Sequence, residues 1–494
     1  MVMGYGGTKR NNNYPKMNRI KSKLNQIRHQ LIGKTTAYLQ SKQKKKIENP
    51  YLNGIFAPVD EVWLKDLKVT GQIPKQLDGI LLRIGPNPLD VVSPSQHHWF
   101  AGDGMLHGLR LKQGKAEWFK SRYIGTDRIQ QSKGQPKKSG FRRGPGDVVN
   151  TNAFLYANKI WALIEAGTYP VCLDFELNTE SHRLFNSQAD LPFTAHPHQD
   201  LKTGHLHAIC YDALNPKSIF YEVFDQSGDL IHYAPIAVEH GPMIHDCAVT
   251  DQDVLIFDLP VTFSRDAIFS GSNMPYLWNN KHQARIGILP HYGSAQDIHW
   301  IEIEPCFVFH TVNAYRETEH RIIVDVVVHA EMFKESTLGP FDAHQVQLER
   351  WIVDLNLNRV KRQILDNETQ EFPRIDERYM GQPHRYIYSA SYDSREMTKA
   401  NALLCHDIEQ ELKIRFEYGD QWLTGEVIFI AEDDQEEQGK GYLLSYVHHV
   451  DGLASKVVIL KANGTQLSIQ AEIDLGVRVP IGFHTNWADL SPYA

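Results

Sequence analysis

From residue 50 to the C-terminus the chain is written in short apolar runs separated by Gly, Pro, Asn and Asp. KIWALIEAG (159–167), HLHAICYD (205–212), DVLIFDLPVTF (253–263), RIIVDVVVHAEMF (321–333), GYLLSYVHHVD (441–451) and KVVILKA (456–462) are examples. Each is rich in Val, Ile, Tyr and Phe, and its length and bounding turn residues predict a β-strand. Long helical periodicity is scarce in this region. So many strands exceed what one sandwich holds, so the pattern predicts an all-β fold of four-stranded blades repeated around an axis. No WD or kelch signature recurs, and periodicity alone leaves the blade number open.

The first 49 residues are patterned differently and read as a separate N-terminal extension. Met17, Ile20, Leu24, Ile27 and Leu31 recur at steps of three and four, one stripe of a helix, with Lys16, Arg19, Lys21, Lys23 and Arg28 around it. A basic amphipathic helix lies in a membrane interface or packs its stripe on the body of its own protein.

Charge follows the same division. The formal net charge is −7, yet residues 1–50 hold twelve Lys/Arg against the single Glu48, about +11, which leaves about −18 on the rest. That balance gives the body no general affinity for nucleic acid. The five cysteines form no CxxC pair and sit in apolar stretches, as thiols do in a reducing compartment. No signal-peptide-like apolar run opens the chain and no eighteen apolar residues are consecutive, so the reading is cytoplasmic and not membrane-spanning. Two charged stretches, 132–146 and 431–441, read as solvated surface loops.

Candidate chemistry lies in the histidines. Of 24, four follow apolar or small-residue runs: His196 in FTAHPHQD, His245 in GPMIHDCAV, His310 in EPCFVFHTVNAY and His484 in VPIGFHTNWAD. Their separations exclude a helical HExxH site and a zinc finger but suit ligands supplied by different blades of a propeller. An all-imidazole shell suits iron, copper, nickel or zinc better than calcium or magnesium. Taken singly, each histidine is more often a hydrogen-bonded core residue than a ligand.

The motifs AHP, MIHD, FVFHTVNA and GFHTNW together resemble the carotenoid cleavage oxygenase family, which also includes lignostilbene dioxygenases and the retinal-pigment-epithelium isomerase. HHWFAGDGMLHGLRL (97–111) is similar to that family's FDGDGM segment, LLRIGPNP (81–88) to its RNGPNP, VNTNAF (149–154) to its ANTN and GQPHRYIY (381–388) to its GxPYRYxY. The resemblance runs from about Val59 to the C-terminus, and TAHPHQDLKTGHLHAICYD and ALIEAGTYPVCLD are most similar to bacterial members. It implies a seven-bladed β-propeller over residues 50–494, with loops and short helices capping the active-site face. It also implies one Fe(II) per chain on His196, His245, His310 and His484, with Glu165, Glu371 and Glu426 accepting hydrogen bonds from three of those rings. A carboxylate on the distal ring N–H fixes the tautomer and raises the basicity of the ligating nitrogen. Ala101 and Thr485 depart from the family pattern at positions that are not ligands.

The implied reaction is cleavage of a conjugated C=C bond of a carotenoid or apocarotenoid by O2, giving two carbonyl products. The protein would position a long apolar chain and exclude water. Phe307, Phe309, Phe483, Trp161 and Trp487 are candidate tunnel residues. The apolar but loop-like stretch 259–280 is a candidate rim touching a membrane, which makes a peripheral membrane contact a second expectation beside the basic helix. A lignostilbene-type dioxygenase is the alternative, with Tyr123 and Lys133, Lys137 or Lys138 meeting a phenol. A retinoid-type isomerase and a non-catalytic propeller are further readings.

Overall fold

The computed structural model describes residues 14–41, 49–91, 94–144, 146–269, 272, 274–334, 345–393 and 396–493. Seven sheets of four or five strands are arranged as the blades of a propeller, with a separate two-stranded ribbon, Val261–Phe263 with Tyr276–Trp278. Within a blade, neighbouring strands run antiparallel, except that Ser139–Gly140 pairs parallel with Thr179–His182 at the edge of the second blade, and the strand nearest the axis comes first in the order of four blades. These axial strands are His198–Gln199, Cys247–Val249, Thr311–Thr318 and Gln370–Arg374 in the third to sixth blades.

Middle strands are buried almost end to end. Arg321–His329 is exposed only at Arg321, and Leu206–Tyr211 and Asp253–Asp258 are buried throughout. Each blade is covered on both faces by its neighbours, so these strands read as continuous apolar runs; Val346–Asp354, further out, alternates.

The ends of the chain interlock two blades. The C-terminal strand Thr485–Asp489 forms the axial strand of the first blade, pairing with Gly79–Pro86 in the register Arg83↔Thr485 to Gly79↔Asp489. The early strand Lys68–Gly71 is the outer strand of the seventh blade, beside Gln466–Asp474. Closure by strands from both ends locks the seventh blade to the first, so that neither leaves the uncovered apolar face that a linear row of blades would have.

Two glycines mark where backbones meet too closely for a side chain. A Cβ on Gly104, in the GDGM segment, would sit 1.6 Å from the Val149 carbonyl oxygen, and one on Gly425 would sit 2.1 Å from Arg83 Nη1. Both require glycine for contact rather than for backbone conformation.

Two expectations are corrected. Residues Arg19–Ser41 form a helix, but its apolar stripe does not pack on the body: Ile20 is 74% exposed, and Leu24, Ile27 and Leu31 are exposed as well. The segment is held by Met17, buried among Trp161, Phe185 and Phe193, by Ser22, whose hydroxyl accepts from Arg142 N–H (3.0 Å), and by a Lys21–Asp190 ion pair (3.2 Å). Residues 1–13 and 42–48 of the basic extension lie outside the described residues. The stretch 132–146 is not simply a solvated loop. Arg142 is buried against Asp127, and Arg143 bridges Asp190 and Asp212, because each guanidinium finds carboxylates that offset its desolvation. All five cysteines are buried and unpaired.

Candidate metal centre

His196, His245, His310 and His484 each lie immediately before, or two residues before, the axial strand of a different blade, all at the strands' starting ends. That placement brings them together. One ligand nitrogen from each lies within 4.8 Å of the others, and ring centroids are 4.5 Å apart for His196–His245 and His196–His484, and 4.8 Å for His310–His484. All four rings are buried.

Carboxylates hold three of the rings from behind. Glu165 accepts from His245 Nδ1 at 3.1 Å, Glu371 Oε2 from His310 Nδ1 at 2.6 Å and Glu426 Oε1 from His484 Nδ1 at 3.2 Å. With Nδ1–H donated outward, each ring turns its Nε2 lone pair inward. His196 has no carboxylate; its backbone N–H donates to Thr194 Oγ1 at 3.2 Å. The Nε2 atoms of His196 and His310 are buried without a hydrogen-bond partner. A transition metal supplies the missing partner, so the donor set fits such an ion.

The electrostatics favour neutral rings at His196 and His484 and an ionised Glu426. Burial, then the other three imidazoles, holds His196 well below the usual histidine range, and burial also lowers His484. For His310 burial alone would do the same, but the Glu371 carboxylate outweighs it and the pKa ends above the ordinary value. Burial would raise Glu426, yet His484 and Arg374 more than offset it and hold it low.

A belt of hydrogen bonds around the axis fixes where the ligands begin. Arg374 Nη2 donates to Asn486 Oδ1 (2.8 Å), Asn486 Nδ2 to Asn152 Oδ1 (2.7 Å), and Asn152 Nδ2 to the carbonyl of Ala195 (2.8 Å), the residue before His196. Further round, Asp246 Oδ1 meets His198 Nε2 at 2.7 Å, and its Oδ2 accepts from both the N–H and hydroxyl of Thr311 at 2.8 Å. Thr485 donates its backbone N–H to Glu426, a bond that a glycine there would make equally.

Not every expected residue reaches the cluster. Phe309 does, its ring 5.0 Å from His245, with Phe307 4.8 Å behind it. Phe483 packs on Trp99 (4.6 Å) and Phe100 (5.4 Å). Trp161 lies elsewhere, in a core with Phe185, its indole N–H donated to the Tyr156 carbonyl at 2.8 Å. Trp487 packs among the residues between the first and seventh blades. Tyr123 accepts from Asn87 Nδ2 at 2.6 Å, and burial first, then nearby carboxylates, pushes its phenol up to about 12. Lys133 pairs with Glu61 (2.7 Å) and Lys137 with Asp127 (2.8 Å). Sequence reasoning missed Phe372, stacked on His310 at 5.1 Å, and the aromatic chain from Phe309 through Phe333 and Phe100. Phe372 adjoins Glu371, and that adjacency was the available signal. Phe333 had none, since only the chain path from the fifth blade brings it here.

Over residues 56–489 the chain matches the model of the RPE65 family, described as retinal pigment epithelial membrane protein. The chain belongs to this family. Among curated members, it is 33% identical to a carotenoid cleavage oxygenase of Mycobacterium tuberculosis, over 90% of this chain and 99% of that one. It is 29% identical to a carotenoid 9,10(9',10')-cleavage dioxygenase of Phaseolus vulgaris, over 88% of each. In structure it is similar to the lignostilbene dioxygenase of Pseudomonas brassicacearum, with TM-score 0.78, 25% identity, and 90% and 100% of the two chains covered. A Synechocystis apocarotenoid oxygenase shares the fold at TM-score 0.74 and 23% identity, over 92% and 99%. The propeller is thus that of a family whose curated relatives include carotenoid cleavage oxygenases.

Proposed function

We propose that this protein is a carotenoid or apocarotenoid cleavage oxygenase holding one Fe(II) per chain on His196, His245, His310 and His484. The observation that carries the reading is the four buried imidazoles, three of them backed by carboxylates, beside an aromatic wall of Phe309, Phe333 and Phe100. The curated carotenoid-cleaving relatives match nearly the full length of the chain and favour this substrate class. Iron, when bound, would supply O2 activation at the conjugated double bond. The bond is exchanged for two carbonyl groups, and both oxygen atoms come from O2, so no further reductant is needed.

The chain's own residues perform the positioning. Glu165, Glu371 and Glu426 fix the orientation of three rings, and a turn of more than about 20° would move a ring nitrogen off a shared centre. Phe309 and Phe372 exclude water from two sides of the cluster and give a polyene π-faces to lie on. The lignostilbene alternative is weakened by Tyr123, Lys133 and Lys137, whose polar atoms are engaged by Asn87, Glu61 and Asp127.

The exposed stripe of the basic helix supports a peripheral contact with the membrane surface, where such substrates dissolve. So does the rim, where Phe269 is 75% exposed. No described helix is long and apolar enough to cross a membrane.

Incubating the Fe(II) protein with an apocarotenal under 18O2 and weighing the products tests the reaction. Two fragments, each carrying one 18O atom on its new carbonyl, are expected. Absence of fragments from iron-replete protein, with turnover of a phenolic stilbene instead, would overturn the substrate class. Deleting residues 1–46 should reduce co-sedimentation with anionic liposomes at low salt; unchanged binding would remove the helix from the account.

A further inference from the structure

A second cluster of metal-ligating side chains lies at the far end of the third and fourth blades. His196 and Asp200 flank the axial strand His198–Gln199, so Asp200 sits at the end opposite the four-histidine cluster. Strand pairing places His207 opposite His198, one position into the next strand. His291 follows Arg285–Pro290, whose last residue pairs with Asp253 beyond Thr250, again at the end away from His245.

One ligand atom from each of Asp200, His207 and His291 lies within 4.8 Å of the other two, and the two imidazole centroids are 4.2 Å apart. His207 is completely buried. Its Nε2 and that of His291 are both buried and neither has a hydrogen-bond partner.

Each donor is held from its other side. His207 Nδ1 is 2.8 Å from the Tyr221 hydroxyl, which accepts the Tyr292 N–H at 3.3 Å. The ring of His291 lies in hydrogen-bonding reach of the Asp253 backbone. Asp200 accepts the Lys202 N–H at 3.0 Å and the Thr203 hydroxyl at 2.6 Å, so its two oxygens are oriented while keeping free lone pairs. Outer hydrogen bonds on one nitrogen, with the other turned to a shared centre, are the pattern of ligating histidines. Without an ion, two ring nitrogens stand buried and unsatisfied in one small space.

We propose that Asp200, His207 and His291 form a second, non-catalytic site for a borderline divalent cation of the zinc class, clipping the hairpin of the third blade to the loop between the last two strands of the fourth. Two imidazoles and one carboxylate suit zinc better than calcium or magnesium, and three protein donors leave room for water. The site stands apart from the four histidines and requires nothing of the oxygenase reading.

The test uses the full chain, iron-loaded, freed of loose metal and then equilibrated with zinc chloride. Elemental analysis reads zinc and iron in the same samples. The expected result is one zinc per chain beside the iron, with a zinc-dependent rise in melting temperature. In Asp200→Ala and in His291→Ala, zinc affinity should fall at least about tenfold while iron content holds. His291 is only half-buried, so that variant keeps the test open if Asp200→Ala folds poorly. No zinc retained by the wild type would mean that water alone fills the space, and zinc retained equally by both variants would mean an adventitious site. Either result overturns the proposal. Iron content reports separately on the four histidines.

Discussion

Replacing Glu371 with Gln isolates the effect of one carboxylate on the metal centre. Glu371 receives three N–H donors: His310 Nδ1 (2.6 Å) and Phe372 N (2.7 Å) on Oε2, and His329 Nε2 (2.7 Å) on Oε1. Gln keeps one acceptor and turns the other position into a donor. If its oxygen faces His310, its NH2 meets the N–H of His329. His329 could shift tautomer, but its Nδ1 is buried without a partner, so the moved proton would be orphaned. That costs about 1–3 kcal/mol of folding stability. If the amide turns the other way, His310 loses its anchor and its Nε2 the basicity that the carboxylate lends. Iron affinity should then fall about 10–100-fold, or about 1.4–2.8 kcal/mol. Chelator competition under anaerobic conditions reads the affinity and urea denaturation the stability. His329→Ala, which removes the competing donor and leaves the bond to His310 intact, should weaken iron binding much less. A Glu371→Gln protein with both an iron affinity within threefold of the wild type and an unchanged urea midpoint would refute the reasoning.

Three further outcomes follow from the packing and the buried charges. Gly104→Ala forces a Cβ onto the Val149 carbonyl and should cost about 3 kcal/mol or more, read as a lowered urea midpoint; an unchanged midpoint would show that the first blade can shift. Asp325 is fully buried, accepts Arg350 through two bonds (2.8 and 2.7 Å) and lies 3.1 Å from His384 Nε2, so Asp325→Ala leaves a half-buried guanidinium without its carboxylate and should cost about 1–3 kcal/mol in the same measurement. Acid should destabilise the fold through His98 and His107, both completely buried and held at about 3, by burial first and then by the charges of His97 and Arg83 respectively. Below the ordinary histidine value of about 6.5 the unfolded chain binds protons that the native protein refuses. Stability present above that pH is therefore lost toward pH 3, by about 2 kcal/mol per histidine at pH 5. Equal urea midpoints at pH 7.5 and 5.0 would contradict this.

The strands and the all-β class were legible because each middle strand is covered on both faces, which demands unbroken runs such as RIIVDVVVH. The four histidines were legible only as a set of motifs. Spacing admitted them as ligands from different blades, and resemblance to a family picked them out of 24.

What the sequence determined by itself is local: the residues able to form strands, the glycines that permit close approach, the amphipathic stripe of Arg19–Ser41 and the chemistry of imidazole. Tertiary structure decided what each residue faces. It put Trp161 in an outlying core and Phe333 beside the metal centre, turned the helix stripe away from the body, and buried Arg142 and paired Arg143 with two carboxylates in a stretch that reads as solvated. It also made ring neighbours of Asn152 and Asn486, 334 residues apart. The physical reason is closure. A strand's pattern fixes which side chains share a face, but their partners are set by the neighbouring blades, and a closed ring brings residues together at separations that no local pattern encodes.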